Sequence, residues 1–272
     1  MSRTFLLLTL ALTLITPAPL QDTAPPAAED AETRLAESPR HGEWVLVETA
    51  SGPVNSWVVY PERPENAPVI IVIHEIYGLT DWIRSVTDGL AAEGFIAIAP
   101  DLLSGKGPGG GGTASIEQPR AAIRDLDPDE VTARLDAVAA YGRALPAANG
   151  AVGVIGFCWG GSTTFRYASG QPATGAAVVF YGGSPDADAL RRLEVPVLGL
   201  YGGSDARVNA TIAPAREVLA ARGARYETEI YEGAGHGFLR AQNHERLSSE
   251  NTAAATADWS RMLGFLRELL ES

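Results

Sequence analysis

Short, continuous runs of apolar residues recur through the middle of the chain, with longer mixed segments between them. Runs of this length suit β-strands that are buried on both faces, as in a parallel sheet. The sequence therefore predicts five buried strands, which read VIIVIHE (69–75), FIAIAPD (95–101), AVGVIGF (151–157), AAVVFYG (176–182) and VPVLGLYGG (195–203).

The segments between and around these runs carry helix and turn signals. Residues 42–62 hold two alternating stretches around SGPVN, a pattern that predicts a β-hairpin. Helices are predicted over 81–93, from Asp127 onward, over Pro214–Arg222 and over 252–270. Alternation of strands and helices predicts an α/β fold, with a doubly wound, mostly parallel sheet and helices on both faces.

The amino-terminal end has a different character from the rest of the chain. Residues 1–20 contain Arg3, the apolar run Phe5–Ile15 and then small residues, as in a secretory signal peptide. The run is shorter than the ~17–25 residues of a membrane span, so no stable membrane anchor is predicted. Residues 21–40, rich in Pro, Ala and acids, predict a flexible tether, and the folded domain is expected to occupy 41–272.

Composition narrows the functional classes. The formal net charge is −12 and there is a single lysine, which argues against nucleic acid as a partner because phosphate binding needs clustered cations. The single cysteine excludes an internal disulfide and a Cys-rich zinc site. The chain is therefore expected to act on a small molecule without a metal, as a monomer or a small homo-oligomer.

The single cysteine lies in the stretch GFCWGG, between a predicted strand and a predicted helix. Cys158 has glycine two positions before it and two positions after it. A sharp strand-to-helix turn needs such small residues, because larger side chains would collide there. The turn raises the thiol above the sheet at the start of a helix, where backbone N–H groups stabilise negative charge. This pattern predicts a catalytic nucleophile.

A nucleophile of this kind needs a base and a group that orients the base. In this fold the expected chain order is nucleophile, acid and then histidine. Asp205 follows the end of the strand at 195–203, and His236 lies in the glycine-rich loop GAGHGF before the last helix. Cys158, Asp205 and His236 are therefore the predicted catalytic triad.

A triad of this type performs acyl transfer. The thiolate attacks an ester-type carbonyl, an acyl-enzyme forms, and water releases the product. The developing oxyanion is expected to bind the backbone N–H of Trp159, which follows the nucleophile, and that of Ile76, in the loop after the first buried strand. Neither a metal nor an organic cofactor is needed for this chemistry.

Several stretches together resemble the dienelactone hydrolase (carboxymethylenebutenolidase) family of α/β-hydrolases. They are HEIYGL (74–79), APDLL (99–103), GVIGFCWGG (153–161), GGSD (202–205) and GAGHGFLR (233–240). The resemblance implies the α/β-hydrolase fold and a glutamate near the catalytic thiol that controls its ionisation, which matches Glu75. A carboxylate beside a thiol disfavours the thiolate, so Glu75 would hold the resting thiol neutral.

The resemblance also implies a grip on a substrate carboxylate. Arg240, in HGFLR, matches one family arginine, and the second is either Arg120 or Arg124. Tyr77 lies in the same EIYG motif as the glutamate and is assigned to the substrate site.

The sequence thus predicts an exported, periplasmic or extracellular hydrolase that cleaves a lactone or ester, and the matching arginines indicate a substrate that bears a carboxylate. Two alternatives remain open at this point. One is a general carboxylesterase or thioesterase with the same mechanism, and the other is a non-catalytic binding protein on this fold.

Overall fold

The structure is a computed structural model that describes residues 24–63, 66–243 and 245–271. The predicted signal peptide, residues 1–20, lies outside this range. The described chain forms one sheet of eight strands with helices on both faces. The strands are β1 Gly42–Val47, β2 Val54–Val59, β3 Ala67–Ile73, β4 Ile96–Pro100, β5 Ala148–Phe157, β6 Ala176–Phe180, β7 Val197–Gly202 and β8 Tyr226–Tyr231.

The sheet has the strand order β1-β2-β4-β3-β5-β6-β7-β8. The first two strands form the predicted hairpin and pair antiparallel with each other, and β2 also pairs antiparallel with β4. The remaining six strands, β3 to β8, run parallel to one another. All five predicted buried strands are present, and β3, β4, β6 and β7 are buried along their whole length. Their carboxyl ends share one edge of the sheet, where ligands bind in open α/β sheets.

Helices cover the two faces of the sheet as the alternation predicts. They are α1 Ala31–Glu37, α2 Asp81–Ala92, α3 Pro119–Arg124, α4 Pro128–Ala144, α5 Trp159–Ala168, α6 Ala187–Leu190, α7 Ala206–Asn209, α8 Ile212–Ala220 and α9 Ser248–Leu270. One core lies between the sheet and α2 with α9, and the other between the sheet and α4, α5 and α8. Among the described helices, none has the length and apolar character needed to cross a membrane.

The start of α4 illustrates how local sequence fixes an element. The Asp127 side chain accepts hydrogen bonds from the backbone N–H groups of Asp129 and Glu130, and Pro128 occupies the first helical position. These contacts satisfy N–H groups that have no partner within the helix, as the capping pattern in the sequence predicts.

Residues 24–40 differ from the predicted flexible tether. Residues 25–27 are buried and α1 packs against α2. Arg40 Nη2 binds Asp88 Oδ2 at 2.5 Å, and this pair fixes the end of the segment to the domain. Proline and alanine lose little side-chain entropy when they are buried, so a Pro/Ala-rich segment can dock wherever its backbone finds partners.

Candidate active site

Cys158 lies at the turn between β5 and α5, at the carboxyl edge of the sheet. Its backbone has φ 57° and ψ −113°, a left-handed conformation that non-glycine residues rarely adopt. A Cβ at Gly156 would lie 2.3 Å from the Gly160 carbonyl oxygen, and one at Gly160 would lie 2.4 Å from the His74 carbonyl oxygen. Only glycine fits these two positions, which is the arrangement expected of a nucleophile elbow.

Asp205 and His236 meet at the same edge of the sheet, and among the described residues no hydrogen bond joins His236 to the Cys158 thiol. Asp205 Oδ2 lies 2.5 Å from His236 Nδ1, and its other oxygen accepts a hydrogen bond from Val208 N–H at 3.3 Å. The aspartate side chain is buried whereas the imidazole is 34% exposed. A buried carboxylate that binds Nδ1 holds a proton there and leaves Nε2 free to accept one.

The Cys158 thiol is held in its neutral form. Burial and the neighbouring Glu75 carboxylate raise its pKa to about 11, and Asp205 adds to this effect. The Trp159 backbone N–H and the Arg207 guanidinium act in the opposite direction. The unliganded site therefore contains very little thiolate at neutral pH.

Glu75 follows the end of β3 and is almost completely buried. Burial raises its pKa to about 7, although the guanidinium of Arg240 opposes this shift. Arg240 Nε lies 3.4 Å from Glu75 Oε2. The carboxyl group can therefore gain or lose a proton near neutral pH in response to small changes around it.

Tyr77 contacts two of the arginines that are predicted to bind substrate. The guanidinium carbon of Arg240 lies 4.9 Å from the centre of the Tyr77 ring, and that of Arg120 lies 4.7 Å from it. Arg120 Nη2 also donates a hydrogen bond to the Tyr77 hydroxyl at 2.5 Å. Of the two candidates that the sequence leaves open, Arg120 contacts this cluster. In the described part of the chain, Arg124 makes no such contact.

The two predicted oxyanion donors are placed differently. The Trp159 backbone N–H lowers the pKa of the Cys158 thiol. Ile76 is half-buried in the turn after β3, and within the described residues its N–H has no acceptor. The role of both N–H groups as oxyanion donors stays a prediction.

His74 is a buried structural residue beside the site. Its Nε2 accepts a hydrogen bond from Leu102 N–H at 3.2 Å, so the proton lies on Nδ1, which is 2.9 Å from the Glu75 carbonyl oxygen. Burial lowers the pKa of His74, and its ring stacks on Trp159 at a centroid distance of 5.6 Å. Because a backbone N–H can only donate, the imidazole stays neutral and joins the ends of β3 and β4.

The glycine-rich loop at 105–113 is anchored at its end. Thr113 donates to both oxygens of the Asp101 carboxylate, from its backbone N–H and from its hydroxyl, each at 2.7 Å. The same hydroxyl accepts from Leu79 N–H at 3.0 Å. The loop therefore has a fixed connection to the turn that carries Glu75 and Tyr77.

Tyr181, at the end of β6, is a site residue that sequence reasoning did not identify. Its backbone has φ 40°, its ring packs edge-on against His236 at 5.2 Å, and its side chain is buried. Burial raises the pKa of the Tyr181 hydroxyl, and the carboxyl groups of Glu75 and Asp258 and the Cys158 thiol raise it further. The only signal in the sequence is an aromatic residue near the end of the predicted strand 176–182.

Comparisons with known proteins agree with this geometry. The model of the dienelactone hydrolase family matches residues 54–270. An Escherichia coli K12 protein named "Putative carboxymethylenebutenolidase" is 34% identical over 225 residues, which cover 77% of this chain and 81% of the relative. The "Carboxymethylenebutenolidase" of Pseudomonas putida is 30% identical over 236 residues, which cover 84% and 97% of the two chains.

A solved structure gives the same result for the fold. The "Putative Dienelactone Hydrolase" of Klebsiella pneumoniae superposes with a TM-score of 0.72 at 29% identity, over 83% of this chain and 98% of the other. The sheet order and the elbow are thus those of an α/β-hydrolase. This chain belongs to the dienelactone hydrolase family, and it is an enzyme that hydrolyses esters or lactones.

Proposed function

We propose that the chain hydrolyses a lactone or carboxylic ester through a Cys158–His236–Asp205 triad and a covalent acyl-enzyme. The observation that carries this proposal is a thiol on a strained elbow at the sheet edge that also holds a His–Asp pair at 2.5 Å. His236 removes the thiol proton as Sγ attacks the carbonyl carbon. The N–H groups of Trp159 and Ile76 stabilise the oxyanion that forms.

The remaining steps return the enzyme to its starting state. The carbonyl re-forms, the C–O bond of the ester breaks, and His236 gives its proton to the leaving oxygen. Water then attacks the thioester while His236 takes a proton from it, and the thiolate leaves and is protonated again. In a lactone the leaving oxygen stays tethered to the acyl group, so a single ring-opened acid is released.

Glu75 is proposed to couple substrate binding to thiol ionisation. A carboxylate on the substrate would compete for Arg240, which otherwise lowers the pKa of Glu75. Without that cation the carboxyl group becomes a stronger base and gains a proton. The negative charge beside Cys158 is then removed, so the pKa of the thiol falls and His236 can take its proton more readily when the site is occupied than when it is empty.

The charge around Tyr77 supports acidic substrates. Arg120 and Arg240 place two positive charges against one ring, and the single Glu75 carboxyl group, 3.4 Å from Arg240, offsets at most one of them. A substrate carboxylate would offset the other charge through charge-assisted hydrogen bonds. This distinguishes the proposal from a general carboxylesterase or thioesterase, which needs no anion site.

The nucleophile is tested with Cys158→Ala and with mass analysis of the acyl-enzyme. Cys158→Ala should lose ester and lactone hydrolysis without a change in melting temperature. Rapid quenching of the unmodified chain with a p-nitrophenyl ester should add one acyl group, and a peptide digest should place it on Cys158. Near-normal activity of Cys158→Ala would refute the mechanism. If the unmodified chain hydrolysed none of the esters, lactones and thioesters tested, a binding protein would be favoured.

The anion site is tested with a matched acid and its methyl ester. Arg240→Ala and Arg120→Ala should each reduce kcat/KM for the acid by roughly 30-fold or more, because a truncated charge-assisted pair costs about 2–3 kcal/mol. Arg124→Ala, which changes the same residue type on the same helix as Arg120, is the control and should leave both substrates unchanged. Equal losses of kcat/KM for the acid and the methyl ester would show that the arginines support the loop and do not bind the substrate carboxylate.

A further inference from the structure

The amino-terminal segment at residues 24–37, termed the strap from here on, docks beside the active site. It precedes the part of the chain that matches the family model, which begins at residue 54. Residues 25–27 are buried, and Ala31, the first residue of α1, is 2% exposed. The strap is therefore built into the domain even though its composition is that of a linker.

Three hydrogen bonds join the backbone of the strap to the walls of the site. Ala28 N–H donates to the Arg240 carbonyl oxygen at 3.0 Å. Gln242 Nε2 donates to the Pro25 carbonyl oxygen at 3.1 Å, and Trp82 Nε1 donates to that of Pro26 at 2.9 Å. Two of these three bonds reach the loop that carries Arg240.

The loop has a second anchor, which holds its other end. Gly235 N–H donates to Asn251 Oδ1 at 3.0 Å, and Ser204 N–H donates to the Ala234 carbonyl oxygen at 2.9 Å. These contacts fix the backbone next to His236 independently of the strap. The Asn251 side chain also donates to the Ala241 carbonyl oxygen at 2.8 Å, so α9 supports both sides of the loop, whereas the contacts of the strap lie only on the side that carries Arg240.

A cavity of about 440 Å³ lies at the junction of the strap, the start of α2 and Arg240. The strap supplies one wall of this space and the arginine another. Arg240 is 38% exposed here, and its few contacts are with Glu75 and Tyr77. A partly exposed arginine samples many rotamers, so the position of its backbone determines where the guanidinium can reach.

We propose that the strap is a positioning element that fixes the backbone of Arg240 and thereby determines the affinity for acidic substrates. The inference rests on the proposed carboxylate-binding role of Arg240. The strap has no part in bond breaking, because His236 and Asp205 are held by other contacts. Loosening it raises KM for a substrate with a carboxylate and leaves the hydrolysis of a neutral ester as it was.

The test removes one donor from the full-length chain. Ala28→Pro deletes the N–H that binds the Arg240 carbonyl oxygen, whereas Ala28→Gly keeps it and serves as the matched control. A second variant, Gln242→Met, removes the donor to Pro25 with little change in volume; because Gln242 Nε2 also donates to the Leu239 carbonyl oxygen at 3.0 Å, its effect is interpreted only together with that of Ala28→Pro. Amide hydrogen exchange over residues 236–243 measures docking of the loop without any need for catalysis.

Ala28→Pro and Gln242→Met should speed exchange over residues 238–243 and raise KM for the acid by about tenfold, the scale of one lost hydrogen bond. The methyl ester should keep its kcat and KM, and Ala28→Gly should match the unmodified chain. Unchanged exchange in both variants overturns the proposal even if the chain turns over neither substrate. Faster exchange with equal losses on the acid and the ester also overturns it, because the strap then supports the whole site.

Discussion

Replacing Glu75 with glutamine should make the resting cysteine more reactive, with a characteristic dependence on pH. The thiol pKa is about 11, so only about one molecule in a thousand carries a thiolate at pH 8. A neighbouring charge at contact range shifts a pKa by roughly one unit or more. Removing the Glu75 carboxylate should therefore raise the thiolate fraction about tenfold wherever that carboxylate is ionised.

The pKa of Glu75, about 7, sets where the difference appears. Below pH 6 the Glu75 carboxyl group of the unmodified chain is protonated and uncharged, like the amide of Glu75→Gln, so the two proteins should react at the same rate. Between pH 7 and 8 the unmodified chain gains negative charge at Glu75, and its reaction rate should rise less steeply with pH. For Glu75→Gln the logarithm of the alkylation rate should rise linearly with pH. The ratio of the Glu75→Gln rate to that of the unmodified chain should approach ten near pH 9.

Iodoacetamide labelling followed by whole-protein mass measures this directly, because Cys158 is the only cysteine. Glu217→Gln makes the same chemical change at an exposed position on α8 and should match the unmodified chain at every pH. A rate ratio that stays the same from pH 5.5 to 9 would refute the coupling. A slower reaction in Glu75→Gln would show that the carboxylate stabilises the thiolate.

Three further predictions use other parts of the structure. His236→Ala should lose nearly as much kcat/KM as Cys158→Ala, and Asp205→Asn should lose somewhat less. Double variants should lose less than the product of the single losses, since the residues act as one unit. Burial raises the pKa of Asp258 well above its usual value, so the folded state retains a proton that the unfolded state releases above about pH 4. Stability should therefore fall as pH rises above that point, and chemical denaturation should show that Asp258→Asn removes this fall. If the chain is exported as predicted, sequencing of the mature protein from its native host should find an amino terminus that precedes Pro25, because the strap is part of the folded domain; a terminus after Arg40 would contradict this.

The fold, and the places in it where Cys158, Asp205 and His236 lie, could be predicted because their signals are local. Each buried strand is a continuous apolar run, and the glycines around Cys158 report the turn without reference to any other element. Asp205 and His236 each follow a strand, and parallel strands bring their carboxyl ends to one edge. This shared edge brings the Asp205 and His236 side chains to their 2.5 Å contact.

The residues that sequence reasoning misplaced or missed depend on distant partners. The strap has the composition of a tether, and its docking depends on Trp82 and Gln242, which nothing in residues 24–37 indicates. Arg120 and Arg124 lie on the same short helix, and only the packing of that helix brings Arg120 to Tyr77. Tyr181 enters the site through a positive φ that is fixed by its surroundings and that its residue type does not favour.

The strap also orders events during synthesis. Pro25 and its partner Gln242 are separated by 217 positions. The strap leaves the ribosome before the rest of the domain, but Gln242 is among the last residues of the domain to be synthesised. Trp82 and α2, the other partners of the strap, are made early, but the contact with Gln242 closes a long loop, and such closure is slow. The strap can therefore complete its docking only when translation is nearly finished.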